Sequence, residues 1–394
     1  MGRDVRLPVR KEVMDGMESV VALRRALHQP RELSWPENVP QGRVIERLHE
    51  LGLADVRPIA KTGATALVEG ASPGPCVLWR ADMDGLPVPE KSNLPYASVN
   101  ENVMHACGHD THMAVALGLA EVLQGRRDTL AGSVRFVFQP AEEAAGGAQA
   151  CVADGVLDSP RVSTALGLHI SADIPIGMIN VAPGPFFAAP TAFRAIITGR
   201  GGHAAAPHQS VDAIVVAAHA IVALQTVVSR SIAPSETGVL TVGKVTSGFR
   251  GNVIAESATL SGTIRSYTNA VRETMLRRTE EILAGVCAAY GAEFTFDHNT
   301  SCPPLVNDAE VTEFVRREAL RYFGPNRIIA APTMGAEDMS VFLEERPGCY
   351  FWLGARNEAK GIAERHHDPG FAIDEDALAI GVEFATRLIE SRLG

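Results

Sequence analysis

At 394 residues, with 46% apolar, 21% charged and 6% aromatic side chains, the chain is long enough for two or three domains and can bury sizeable cores, which excludes fibrous, collagen-like and disordered classes. Lys and Arg number 36 against 46 Asp and Glu, and the net charge of −10 argues against a nucleic-acid or anionic-membrane binder and suits a cationic or metal partner. Six dispersed cysteines without a Cys-x-x-Cys pair read as reduced thiols of a cytoplasmic protein. The opening MGRDVRLPVRKEVMDG lacks the apolar core of a signal peptide. The least polar stretch, Ala213 to Val228, is interrupted by His219 and Gln225, so no membrane span is expected.

From about Lys11 to Leu27 the apolar residues Val13, Met14, Met17, Val20, Val21 and Leu27 fall mostly on one helical face, predicting an amphipathic first helix. Strands and helices then alternate. PCVLWRADMD and GSVRFVFQPAEE read as strands running into acids, and STALGLHI as a strand ending in a histidine. This arrangement delivers Asp82/Asp84, Glu142/Glu143 and His169 to the carboxyl edge of one α/β sheet, where such sheets place ligands.

The pattern changes between about Ala188 and Asn299. TAFRAIITG, a helix over Val211 to Ser229, GVLTVGKV, ATLSGTIRSY, a helix over Val271 to Tyr290 ended by Gly291, and AEFTFDH give the order βαββαβ of a ferredoxin-like unit. That segment holds nine Lys/Arg and eight Asp/Glu, while the rest of the chain carries −11, a shift that marks an insertion. Residues 1–187 and 300–394 are accordingly expected to form one discontinuous domain around an inserted domain of 188–299. A helix over Val311 to Tyr322, the strand GCYFWLG and a final helix from Glu375 to Leu393 resume the first architecture.

The densest chemical constellation is MHACGHDTHM, with His105, Cys107, His109, Asp110 and His112. Two metal arrangements compete there. A continuous helix would align His105, His109 and His112; alternatively Cys107 and His109 sit in a turn before a helix starting near Asp110, which Gly108 favours. Adjacent Glu142 and Glu143 after Pro140 can divide labour between proton transfer and metal binding, the alternative being a solvated acidic loop. Asp82 and Asp84 could cap turns or orient a histidine, and His366-His367 could supply a late ligand. In TGRGGHAAAPH the glycine spacing only superficially matches a dinucleotide fingerprint, because Pro207 precedes the helix. The glycines instead free the backbone to project His203 toward a ligand.

Together RADMDGLP, MHACGHD, FQPAEE, GLHI, GRGGHAAAPH, NVIAESATLSGTIRS and MGAEDMSVFLE resemble the metal-dependent amidohydrolases that include N-acyl-amino-acid amidohydrolases, hippurate hydrolases and auxin-conjugate hydrolases, a branch of the aminoacylase and carboxypeptidase metallopeptidases. The resemblance runs from about Leu23 to the final helix. It implies an α/β metallopeptidase-like catalytic domain with a central sheet, interrupted by the βαββαβ lid, and a homodimer formed through the lid. It implies two divalent ions per chain held by Cys107, His109, Glu143, His169 and His367, with Glu142 as general base. By the same analogy Cys107 bridges the ions, His109 and His169 complete one site, and Glu143 and His367 the other. His367 is chosen over His366 because HDPGF fits the family's pattern.

A thiolate with imidazoles favours zinc, cobalt or nickel over magnesium, with manganese also admissible. The reaction implied is hydrolysis of an N-acyl-amino acid, with His203 stabilising the oxyanion and Asn252 and Arg265, on lid strands, holding the free carboxylate. Ala255, Ala336, Met339 and Ala372 depart from the family pattern without removing a ligand, and bear on substrate preference. The competing readings are a metallo-dipeptidase or carboxypeptidase, a phosphoesterase, which the absence of a basic cluster disfavours, and a non-catalytic metal-stabilised binding protein, which would leave Glu142 and His203 without a task. The helix from Ala213 to Ser229, apolar on nearly every face, should be buried on more than one side.

Overall fold

The apolar stripe Val13, Met17, Val20 and Leu27 is buried on α1 (Lys11–His28). This computed structural model describes residues 7–29, 32–144 and 146–394, so residues 1–6 of the opening segment lie outside the described residues. Helix α2 (Asn38–Glu50) and the strands β1 (Ala54–Ile59), β2 (Gly63–Glu69) and β3 (Ser72–Asp82) follow, then α3 (His109–Gly125), β4 (Ala131–Gln139), α4 (Gly147–Ala153), β5 (Val162–Pro175) and β6 (Ile179–Asn180). β7 (Gly184–Phe187) comes next.

The chain continues through β8 (Ala189–Thr198), β9 (Gly202–His203), α5 (Ala213–Ser231), β10 (Gly238–Ser247), β11 (Val253–Ile254), β12 (Ser257–Ser266), α6 (Asn269–Tyr290) and β13 (Glu293–Thr300). β14 (Leu305–Asn307), α7 (Ala309–Phe323), β15 (Ile328–Ile329), α8 (Met339–Glu345), β16 (Gly348–Arg356) and α9 (Asp376–Leu393) complete it. Contacts divide the chain into one unit of Met1–Gly184, Val306–Ala331 and Asp338–Gly394 and a second of Pro185–Leu305 with Pro332–Glu337.

The first unit is built on a mixed eight-stranded sheet in the order β1-β2-β4-β3-β5-β16-β6-β15. Its centre is parallel, β4, β3, β5 and β16 running together. Central strands covered on both faces need continuous apolar runs, and from Cys76 to Asp82 every residue of β3 is buried. α3 packs against α1 and α9 as well as against β3. Gly118 permits that close approach, since a Cβ there would lie 2.9 Å from Val382 and 3.0 Å from Val20. β5 does not end at His169, as the sequence pattern predicts, but runs on to Pro175, because β16 pairs alongside it from Ala165 to Pro175, placing His169 opposite Trp352.

In the second unit a four-stranded antiparallel sheet has the order β10-β12-β8-β13, which with α5 and α6 is the ferredoxin-like arrangement. Asp212 caps α5 by accepting from the Ile214 and Val215 amides, so the helix starts at Ala213 rather than at Val211. α5 buries the stripe Ala213, Val216, Ala217, Ala220, Leu224 and Val227, while Ile214, Val215 and Val222 are exposed. The unit's own core therefore covers only one side of this helix. By length and composition α5 is the one helix among the described residues that could cross a membrane. Its packing in the unit's core accounts for the apolar character of the buried side.

Candidate metal centre

The turn after His105 settles which arrangement MHACGHD adopts. Gly108 takes φ +90, and a Cβ there would lie 2.4 Å from Ile170, so only glycine lets the turn meet β5 this closely. α3 consequently begins at His109, and Cys107 stands before it in the turn. Sγ of Cys107 is 3.5 Å from Nε2 of His169. The donor atoms of Cys107, His109 and His169 lie within 4.8 Å of one another, and so do those of Cys107, Glu143 and His367. Glu142 joins His109 and Glu143 in a third such group. Cys107 is thus shared by two three-donor clusters.

His367 enters by an unusual backbone conformation, φ +64, with its amide bonded to Ala106 O at 2.9 Å; its Nε2 is 3.4 Å from Oε1 of Glu143. His366 is differently engaged, its Nε2 accepting from the Ala172 amide at 3.1 Å. His105 is buried beside His28 and joins none of these donor groups among the described residues.

A second layer of polar groups fixes the rings. Nδ1 of His109 bonds the carbonyl of Asp84 at 2.9 Å and its carboxylate at 3.2 Å, which turns Nε2 toward the cluster. That Nε2 is buried and makes no hydrogen bond among the described residues. Asp84 also accepts from Ser34 and from the amides of Glu142 and Glu143. Nδ1 of His169 donates to Ile170 O at 2.6 Å, directing its Nε2 at Cys107. His112 and Asp82, with His109, form another group of donors, yet their atoms are already used. His112 gives Nδ1–H to Asp82 at 2.5 Å and accepts the Ile170 amide on Nε2, while Arg80 holds the other oxygen of Asp82.

The electrostatics fit a cation. Burial, followed by Glu143, Glu142 and Asp82, pushes the Cys107 thiol well above its ordinary value. Burial opposes a charge on His109, but Asp82, Asp84 and Glu143 outweigh it and raise this imidazole to about 10. His169 is driven well below the ordinary imidazole value by burial and by His112. Both the thiol and His109 thus hold protons against an excess of negative charge, which a divalent ion on sulfur, nitrogen and carboxylate donors would offset. Thiolate, imidazole and carboxylate together match borderline-soft divalent metals.

Sequence reasoning missed the groups behind Asp110. This carboxylate is buried against Arg24 Nε and His28 Nδ1, both at 2.7 Å. Arg24 and His28 stand four residues apart on the buried face of α1, a spacing visible in LRRALH. It also missed Glu37, whose carboxylate accepts the Ala141 amide.

In the second unit His203, exposed on β9, faces Val253 of β11. Its Nδ1 accepts the Ala205 amide at 3.0 Å, which leaves Nε2 as the N–H donor of the neutral ring. Asn252 is a neighbour, its carbonyl accepting the Ala204 amide, but it lies in the turn before β11 rather than on a strand. Gly251 and Asn252 form a turn just before β11, closed by the Val253 amide on Arg250 O at 3.1 Å. Arg265 is on β12, in register with Pro190 and Val239. Burial lowers its pKa, and no carboxylate pairs with it among the described residues.

Residues 78–391 match the family model described as Peptidase family M20/M25/M40. The N-acetyl-L-cysteine deacetylase of Bacillus subtilis is 39% identical over 379 residues, 95% of this chain and 89% of that protein. The IAA-amino acid hydrolase ILR1-like 4 of Arabidopsis thaliana is 35% identical over 373 residues, covering 93% and 84%. Among solved structures, the YXEP protein of Bacillus subtilis, described as a dinuclear metal binding peptidase from the M20 family, superposes with a TM-score of 0.83 at 32% identity, covering 96% of this chain and 98% of that one. The chain belongs to peptidase family M20/M25/M40 and is a metal-dependent amidohydrolase of the kind its motifs resemble.

Proposed function

We propose that this protein hydrolyses the amide bond of N-acyl-amino acids, releasing a carboxylic acid and an amino acid. The observation that carries this reading is the pair of donor clusters sharing Cys107, with the carboxylate of Glu142 beside them. In this reading Cys107, His109 and His169 hold one divalent ion and Cys107, Glu143 and His367 the second, the metal being zinc, cobalt, nickel or manganese. When bound, the ions would polarise the scissile carbonyl and lower the pKa of the attacking water. Glu142 takes the proton of that water as it attacks and returns it to the leaving amine. Nε2–H of His203 donates to the developing oxyanion. Asn252 and the guanidinium of Arg265, which has no carboxylate partner among the described residues, hold the substrate's free carboxylate.

The acyl-amino-acid class is supported by relatives named as an N-acetyl-L-cysteine deacetylase and an IAA-amino acid hydrolase. A homodimer through the second unit belongs to the same proposal. It is supported by the exposed apolar face of α5, on which Ile214, Val215 and Val222 lie. A cytoplasmic location accords with cysteines that form no disulfide among the described residues. The test is a panel of N-acetyl, N-benzoyl and longer N-acyl amino acids, with dipeptides, assayed with zinc, cobalt, nickel and manganese and after chelation. Hydrolysis of acyl amino acids, lost on chelation and restored by metal, is expected. Faster cleavage of dipeptides would favour a peptidase, and binding of acyl amino acids by metal-loaded protein without turnover would favour a binding protein.

A further inference from the structure

Glu37 sits immediately before α2 and has no exposed surface. Such a carboxylate is costly to bury without partners. One oxygen of Glu37 accepts the amide of Ala141 at 2.8 Å, and the other accepts the hydroxyl of Thr62. Ala141 is itself exceptional. It is fully buried and left-handed, φ +53, a conformation that a residue with a Cβ adopts only when its surroundings impose it. The next two residues are Glu142 and Glu143, whose amides go to the two oxygens of Asp84 at 3.1 and 3.0 Å. Three successive N–H groups, those of Ala141, Glu142 and Glu143, are therefore each aimed at a buried carboxylate. Asp84 fixes the last two. Glu37 is bonded to the first, where the backbone is turned.

We propose that Glu37, through the Ala141 amide, is a positioning residue that holds the left-handed turn and thereby aims the side chains of Glu142 and Glu143. The assignment rests on the proposed roles of those two glutamates. With the acceptor removed, the turn can relax toward right-handed or extended backbone, rotating the direction in which both following side chains leave the chain. Thr62 then serves as a clamp on Glu37 rather than on the site.

The experiment compares Glu37→Ala, Glu37→Gln and Thr62→Val in the full-length protein. It reads kcat and KM on an N-acyl amino acid that the wild type hydrolyses, zinc affinity by chelator competition, and the thermal midpoint. Glu37→Ala should lower kcat by about 10- to 100-fold with KM little changed, and should weaken one of the two zinc ions by about tenfold, the usual scale for outer-layer partners of metal ligands. Glu37→Gln should recover most of both losses, because its amide oxygen still accepts from Ala141. Thr62→Val keeps the volume and should move both readouts in the same direction by less. Folded Glu37→Ala with wild-type kcat and zinc affinity would overturn the proposal, as would Glu37→Gln as impaired as Glu37→Ala. If Glu37→Ala does not fold, Thr62→Val and Glu37→Gln decide it: unchanged kcat and zinc affinity in Thr62→Val, or a Glu37→Gln as poor in zinc binding as Glu143→Gln, overturns it. A wild type that hydrolyses no member of the panel would sink the functional reading alone, since the zinc competition still decides the role of Glu37.

Discussion

Nδ1 of His109 is hydrogen-bonded to the carboxylate of Asp84 at 3.2 Å, and that same carboxylate receives the amides of Glu142 and Glu143. Asp84 therefore links the start of α3 to the loop after β4, two segments that share no strand pairing. An asparagine there offers one acceptor oxygen where the carboxylate offers two. Asp84→Asn should lower metal affinity by roughly 10- to 100-fold, measured by competition with a chelator. Unchanged affinity would show that the ring and the loop are held by other groups.

Glu142 and Glu143 are expected to separate cleanly by substitution. Glu142→Gln should retain both metal ions and the fold while lowering kcat by about 10²- to 10⁴-fold, the scale of a positioned acid–base group. Glu143→Gln should lose metal. Elemental analysis alongside steady-state kinetics distinguishes the two, and exchanged phenotypes would reverse the assignments.

The pH dependence of metal uptake follows from the two raised donors. In chelator-stripped protein His109 holds its proton up to about 10, and the thiol of Cys107 is held protonated by burial and by Glu143, Glu142 and Asp82. Loading must release both protons, so apparent affinity should rise by up to about two log units per pH unit between about pH 6 and 8. Stability of the stripped protein runs the other way. His109 binds its proton more tightly when folded than when unfolded, so its contribution is complete below about 6.5 and is lost as pH rises toward about 10. Calorimetry in buffers of different ionisation enthalpy counts the released protons, and an affinity flat with pH would contradict the donor set.

Arg265 has a half-buried charge and no carboxylate partner among the described residues, which fits a substrate anion as its partner. Arg265→Met should raise KM for an N-acyl amino acid by about 10- to 100-fold, the equivalent of one charge-assisted hydrogen bond, and leave the corresponding amino-acid amide nearly unaffected. Equal losses on both substrates would assign Arg265 to the architecture of β12.

Much of the first unit was legible because strand and helix periodicity are local properties. The buried run of β3 and the stripe of α1 are written in consecutive residues. The residue types of the donor clusters could also be read, since Cys107, His109, Glu142 and Glu143 flank recognisable elements. Their supporting partners could not. Glu37 reaches Ala141 across 104 positions, and nothing near SWPE distinguishes a buried acceptor from an ordinary helix-start acid. His112 looked like a third ligand by spacing, but its bonds to Asp82 and to Ile170 depend on how β5 lies beside α3. The length of β5 beyond His169 is likewise set by β16, more than 170 residues downstream.

The central claim, two ions sharing Cys107, is tested most directly by anomalous diffraction from crystals of zinc-loaded protein. The account predicts two anomalous peaks about 3.5–4 Å apart. Cys107 should contact both, His109 and His169 one, and Glu143 and His367 the other. A single peak, or a peak held by Asp82 and His112 instead, would contradict it.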